Sequence, residues 1–267
     1  MAPSYHRRND PAVGARLYLF TVEEYFALGE TGILPEDDPV ELIGGVLAIK
    51  SDIVPPYGVP VGIPPREIWP EGAAWTNHPL RRLTVREYAK IVRAGILDPT
   101  KRHELIEGWL VEKMSRNPPH DYVLSSIQDL LGAALPADWY LRVQMGVTLD
   151  ESTPEPDLAV VIWPRTYFQE RHPTPGEIGL IVEVADTTLP LDLGPKRRSY
   201  ARNGVSQYWV ADLANRQLHV FSDPSGPTDM PAFGQHRTLT LNDQVSLNIL
   251  DKLVAEFAVR DLFGVQG

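Results

Sequence analysis

Two acidic residues stand where buried strands are expected. Asp157 opens PDLAVVIW (156–163), directly after Pro154-Glu155, and Glu183 lies inside GLIVEVAD (179–186). Both runs are apolar on both faces, the pattern of central strands covered on two sides. A carboxylate in such a strand costs several kcal/mol unless something pairs with it. Period-two alternation puts Asp157 on one face with Ala159 and Val161, and Glu183 with Ile181 and Ala185. If the two strands are neighbours, the carboxylates converge. Two buried carboxylates repel, so one is protonated or a cation joins them. A hard divalent cation with oxygen ligands, Mg²⁺ or Mn²⁺, meets that need. Plainer readings stand beside this one: Asp157 could cap its Pro-rich turn, and Glu183 could pair with an arginine.

A lysine follows close behind. Residues 192–202 carry Lys196, Arg197, Arg198 and Arg202 against Asp192, a local charge of +3 in a chain of formal net charge −10. LGPKRRSYARNG (193–204) reads as a helix, with Asp192 as N-cap, Pro195 in the first turn and Gly204 as the stop. Lys196 and Tyr200 are four apart and share a helix face. A lysine there could neutralise charge on a reacting phosphate or hold the attacking water. The plain alternative is a solvated basic face.

The elements that must position these groups alternate between helix and strand. A helix over 84–94 precedes strands near 103–107 and 109–114. HDYVLSSIQDLLGAAL (120–135) is an amphipathic helix, and WYLRVQMGVTLD (139–150) a strand bent near Gly146. Strands 156–163 and 179–186 are central, and 206–212 and 217–223 flank a turn. The tail from 237 adds an edge hairpin and a short final element. The fold class expected is α/β, a mixed central sheet flanked by helices.

An internal repeat precedes this pattern. TVEEYFALGETGILPEDDPVELIGGVL (21–47) aligns without gaps to TVREYAKIVRAGILDPTKRHELIEGWL (84–110), with 12 identities in 27 positions. Each copy reads as a Thr-capped helix with Glu three residues on, a glycine stop, and an extended segment turning at Gly. Two copies are too few for a solenoid. The organisation expected is a disordered N-terminus (1–16), a partial repeat (17–50), a Pro/Gly-rich linker (51–80) and the main domain (81–267). The partial repeat keeps Glu41, matching Glu104, but has no second acid pair or lysine behind it, so it cannot form a second site alone.

Composition removes several classes. The 267 residues include no cysteine, which excludes disulfides, thiolate nucleophiles and Cys-based zinc sites. No apolar run reaches the ~18 residues of a membrane helix, and no signal-peptide core opens the chain, so a cytoplasmic protein is expected. There is no Gly-rich phosphate loop and no nucleophile elbow.

Taken in order, ELIEG (104–108), His120, PDLAVV (156–161), VEVADTT (182–188), Asp192-x-x-x-Lys196, Tyr200 and GVSQYWVAD (204–212) resemble the Uma-two family of restriction endonucleases, within the PD-(D/E)xK nuclease superfamily. The resemblance spans about residues 84–225. It implies a restriction-endonuclease-like fold and a Mg²⁺- or Mn²⁺-dependent DNA endonuclease. Asp157 and Glu183 would be the metal ligands, with Glu104 as the extra acid of the site. The superfamily's lysine normally stands two residues after the Glu, where this chain has Ala185. The resemblance is to variants whose lysine has moved to the next helix, which assigns the role to Lys196. His120, Gln144 and Tyr200 would be auxiliary residues, and Arg197, Arg198 and Arg202 DNA contacts. Cutting two strands favours a homodimer. The competing expectation is a catalytically silent nucleic-acid-binding or interaction protein that keeps the fold.

Overall fold

The structure is a computed structural model that describes residues 15–50, 61–62, 80–113 and 116–265. Most of the expected disordered N-terminus and nearly all of the expected 51–80 linker lie outside these residues. In chain order the elements are β1 (Ala15–Leu17), α1 (Val22–Glu30), β2 (Val40–Ile43), β3 (Val46–Ile49), β4 (Val61–Gly62), β5 (Leu80–Arg81), α2 (Val85–Arg93), β6 (His103–Ile106), β7 (Trp109–Lys113), α3 (Pro118–Ala134), β8 (Trp139–Val143), β9 (Leu158–Ile162) and β10 (Ile178–Ala185). After them come the single turn α4 (Leu189–Leu191), a π-helical turn Asp192–Lys196, α5 (Arg197–Arg202), β11 (Gln207–Asp212), β12 (Gln217–Pro224), β13 (Phe233–Leu239), β14 (Gln244–Ile249), β15 (Lys252–Ala258) and α6 (Val259–Leu262).

A six-stranded mixed sheet, in the order β13-β12-β11-β10-β9-β8, forms the centre. Only β10 and β11 run parallel; the remaining neighbours are antiparallel. All eight residues of β10 are buried, as its apolar run requires. One face, carrying Leu158, Val160, Leu180, Val182 and Val184, packs on Val123, Ile127 and Leu131 of α3 and on Val245, Leu247 and Ile249 of the β14–β15 hairpin. The other, carrying Ala159, Val161, Ile181, Ala185 and Val210, packs on Tyr200 of α5. Each fully buried aliphatic side chain contributes about 1.5–3 kcal/mol. The alternation read from the sequence therefore holds, and β9 and β10 are neighbours.

Three expected elements differ. The strand over 139–150 ends at Val143, because Gln144 adopts a φ of 51° that no strand tolerates. The expected edge hairpin divides its parts: β13 is the sheet edge, while β14 and β15 pair only with each other and cover α3's side of the core. The helix expected over 193–204 is broken. Gly194 leaves helical geometry at φ −105°, ψ −105°, and Asp192 lies buried inside the turn rather than capping its start. Gly204, at φ 74°, is the stop the sequence suggested.

The two repeat copies have the same local structure. Thr21 with Glu24, and Thr84 with Glu87, form reciprocal capping boxes. The Tyr25 hydroxyl donates to the Val40 carbonyl, and the Tyr88 hydroxyl to the His103 carbonyl, both at 3.0 Å. The copies also exchange strands. Leu17 of β1 pairs with Val111 of β7, and Leu80 of β5 pairs with Ala48 of β3, so each leading strand joins the other copy's hairpin. Their apolar faces form common clusters: Leu28, Leu47 and Ile49 pack with Ile91, Leu105 and Leu110.

Gly45 and Gly108 permit this exchange. Both have left-handed φ, 91° and 80°. A Cβ on Gly45 would lie 2.7 Å from Leu19 Cβ, and one on Gly108 2.9 Å from Arg82 Nε. Gly45→Ala and Gly108→Ala are each expected to cost about 1–3 kcal/mol in urea denaturation. Gly32→Ala and Gly95→Ala, at the same φ of 64° with nothing within 4 Å, should cost only the left-handed penalty of about 1 kcal/mol. Equal losses at all four positions would contradict the close strand approach.

Candidate active site

The C-terminal half of β10 and the start of β9 meet at one end of the sheet. Val182 pairs with Leu158, so the next pair along is Glu183 and Asp157. Both are buried, at 2 % and 6 % exposure. The Asp157 amide points at Glu183 Oε2 across a long 3.4 Å. A cleft of about 60 Å³ opens here, lined by Glu104, His120, Asp157, Glu183, Asp192 and Lys196, with Arg102, Lys113 and Arg116 also on its wall.

Lys196 is the hub. Its ammonium lies 2.9 Å from Glu183 Oε1, 3.3 Å from Glu104 Oε1 and 3.5 Å from Asp192 Oδ1, and its side chain is 3 % exposed. Burial disfavours its charge, but Glu104, Glu183 and Asp192 together hold its pKa well above the ordinary lysine value. It is a fixed cation, unfit to act as a base near neutral pH. Asp192 and Lys196 are four apart on the turn that follows β10, and both face the same cluster. Asp192, expected as an N-cap and as part of Asp192-x-x-x-Lys196, instead joins the buried acids around the lysine. Its position before Leu-Gly-Pro carries the same local signal as an N-cap, so only its burial distinguishes it.

Each acid is held by its own partners. The Tyr200 hydroxyl donates to Glu183 Oε1 at 3.1 Å. The Glu155 amide donates to Glu104 Oε2 at 3.1 Å. Asp157 Oδ2 accepts from the Val184 amide at 2.9 Å and contacts His120 Nε2 at 3.2 Å. Its Oδ1 accepts from the Gln144 side-chain amide at 3.2 Å. Burial opposes Asp157's ionisation, but the His120 contact, Lys113 and the Val184 amide drive its pKa far below the usual carboxylate range. Asp157 is therefore an acceptor, and His120 Nε2 must carry the proton between them. Burial lowers and Asp157 raises the His120 pKa, with a net rise. Gln144 reaches Asp157 from its left-handed backbone, a strained geometry of the kind that accumulates at functional sites.

The remaining acids divide. Burial pushes Glu104 up, but Lys196 and Lys113 bring it below its ordinary value. Burial pushes Glu183 up to about 8, with Asp192 and Asp157 adding to the rise and Lys196 relieving only part of it. Asp192 is raised for the same reason. Three acids, Glu104, Glu183 and Asp192, thus share one central ammonium.

Of the residues singled out from the sequence, Glu104, His120, Asp157, Glu183 and Lys196 line the cleft, and Gln144 and Tyr200 hold its acids. Arg197, Arg198 and Arg202 do not line it. Arg198 forks onto Glu107 at 2.9 and 3.1 Å, and Arg197 lies 5.6 Å over the Phe221 ring. The helix they ride on turns its buried face inward and sends them along the outside of the sheet.

Among the described residues, no three His, Asp or Glu side chains are gathered at metal-ligating geometry; the acids converge on an ammonium instead. The donor chemistry nevertheless suits a hard divalent cation. The acids offer only oxygen, and they outnumber the cation at their centre.

The raised carboxyls make stability depend on pH. Glu183 and Asp192 hold their protons to higher pH folded than unfolded, so the stability they add is present at acid pH and lost as pH rises through the raised values. Asp157 acts oppositely, and its contribution is lost only in strong acid. With metal chelated, the melting temperature is expected to fall between about pH 5 and 8, and Glu183→Gln should flatten that fall. Calorimetric scans across this range check it; parallel slopes for both proteins would refute the assignment.

Residues 85–257 match the model of the Uma2 family, described as "Putative restriction endonuclease". Among solved structures, the chain resembles a crystal structure of "a putative nuclease belonging to DUF820" from Anabaena variabilis, with a TM-score of 0.54 and 14 % identity over 68 % of this chain and 98 % of that one. At that identity the likeness concerns the fold. No curated protein matches the chain. With the match covering more than half of its length, the chain belongs to the Uma2 family.

Proposed function

We propose that the cleft hydrolyses phosphodiester bonds in DNA with the help of a divalent ion, Mg²⁺ or Mn²⁺, held by Asp157 and Glu183 with Glu104 beside them. The observation that carries this reading is the burial of acids on two adjoining central strands around a single lysine, in a cleft whose wall also bears Arg102, Lys113 and Arg116. A bound ion would polarise the phosphate and favour ionisation of the attacking water. Lys196, permanently charged, neutralises the negative charge that grows on the phosphate. His120 and Gln144 fix the rotamer of Asp157, and Tyr200 fixes Glu183. Arg102, Lys113 and Arg116 replace Arg197, Arg198 and Arg202 as the contacts to the DNA backbone. A two-fold homodimer would present one cleft to each strand of a duplex.

Plasmid DNA incubated with the protein and Mn²⁺ tests the reaction. Wild type should nick it, Asp157→Ala should show no cleavage, and His120→Ala and Gln144→Ala should cleave about 10–100-fold more slowly. Equal, negligible cleavage by wild type and Asp157→Ala would leave the silent DNA-binding scaffold as the reading.

Metal binding has a separate signature. Burial pushes the Glu183 pKa up to about 8, so a divalent cation must displace a proton from it. Calorimetric titration with Mn²⁺ in buffers of different ionisation enthalpy should show proton release near neutral pH, and Glu183→Gln should abolish it. Binding heat that is independent of buffer would contradict the assignment.

A further inference from the structure

A second, larger groove carries a buried cation that no carboxylate among the described residues neutralises. The groove, of about 760 Å³, runs between α2 and the segments 145–148 and 168–172, with Tyr88, His103, Arg142, Thr153 and Phe168 on its walls. Arg142, on β8, is 8 % exposed. Its one hydrogen bond is long, from Nη2 to the Gly146 carbonyl at 3.4 Å, and its guanidinium stands 5.6 Å from the centre of the Phe168 ring. Its Nε is buried without a partner, as are His103 Nε2 and Thr153 Oγ1 on the same walls.

The contrast with Arg81 is direct. That guanidinium is equally buried, at 7 % exposure, and is closed by Asp38 at 2.8 Å and Glu87 at 2.7 Å. Among the described residues no Asp or Glu oxygen comes within 4.0 Å of Arg142. The groove's own acids do not answer it: Glu155 is taken by Arg102 at 2.8 Å, and Glu170 is exposed. A desolvated guanidinium without an anion costs several kcal/mol, and its planar fork matches a phosphate. The two unsatisfied polar groups on the same groove's walls are the further partners such an anion would need.

Groove and cleft share a wall. Glu155 lines the groove, while its amide donates to Glu104, its carbonyl accepts from Lys113 Nζ at 2.6 Å and its carboxylate takes Arg102. All three partners line the cleft. We propose that Arg142, with His103 and Thr153, binds a phosphate of the nucleic-acid strand whose neighbouring phosphodiester lies in the cleft, while the half-buried Tyr88 offers aromatic surface to the attached nucleotide. The strand assignment rests on the phosphodiesterase reading of the cleft; the phosphate site does not.

The test is equilibrium binding by the full chain with chelator present, so that no cleavage intervenes. The probes are a deoxynucleoside 5′-monophosphate and a short single-stranded deoxyoligonucleotide, each measured with wild type, Arg142→Met and Asp157→Asn. Both probes should bind wild type, the oligonucleotide more tightly. Arg142→Met should weaken both about tenfold or more while melting no lower than wild type without ligand, because it removes an uncompensated buried charge. Asp157→Asn should keep mononucleotide binding, so the site stands even if the cleft proves inactive. Unchanged affinity in Arg142→Met, or a lower melting temperature with unchanged affinity, overturns the phosphate site. A mononucleotide that binds as tightly as the oligonucleotide overturns the strand assignment and leaves a site for free nucleotides.

Discussion

The site is organised by the Lys196 ammonium, buried among Glu104, Glu183 and Asp192. A lone charge at such depth would be expelled or neutralised; here the lysine and the acids hold one another in place. The cluster joins three parts of the fold. Glu104 comes from the hairpin of the second repeat copy, Glu183 from the central strand, and Asp192 and Lys196 from the distorted turn that follows it. Asp192 and Lys196 stand four apart on that turn, so they face the cluster together.

Ala185 fits the same picture. It stands two residues beyond Glu183, where the resemblance places a lysine, and it is fully buried in the cluster that contains Tyr200, Tyr208 and Val210. A long cation at that position would have to displace this apolar packing. With the charge delivered from the following helix instead, the strand keeps its core and the cleft keeps its lysine. Tyr200, four residues after Lys196, uses the same helix face to bind the same Glu183 oxygen.

The repeat shows how the first copy is used without a site of its own. Its hairpin and the second copy's exchange leading strands and share apolar clusters. Glu104 lies in the hairpin so braced, and its partner Lys196 lies a long way on in sequence. Glu41, the matching residue of the first copy, has no second acid pair behind it and takes no part in the cleft.

Periodicity, capping residues and the two acids in apolar strands were enough to place the central strands, the helix α3, both capping boxes and the facing of Asp157 and Glu183. These signals are local, and each is read from residues within a few positions of one another. Contacts between distant segments are not written in that form. The strand exchange and the approach of His120 and Gln144 to Asp157 join residues whose separation in sequence carries no periodic mark. The left-handed backbone of Gln144 carries no signal in its residue type. The sequence by itself thus determined which residues could do chemistry and which strands carry them; the tertiary structure decided what balances them, because charge balance in a buried site is set by what folding brings within a few ångströms.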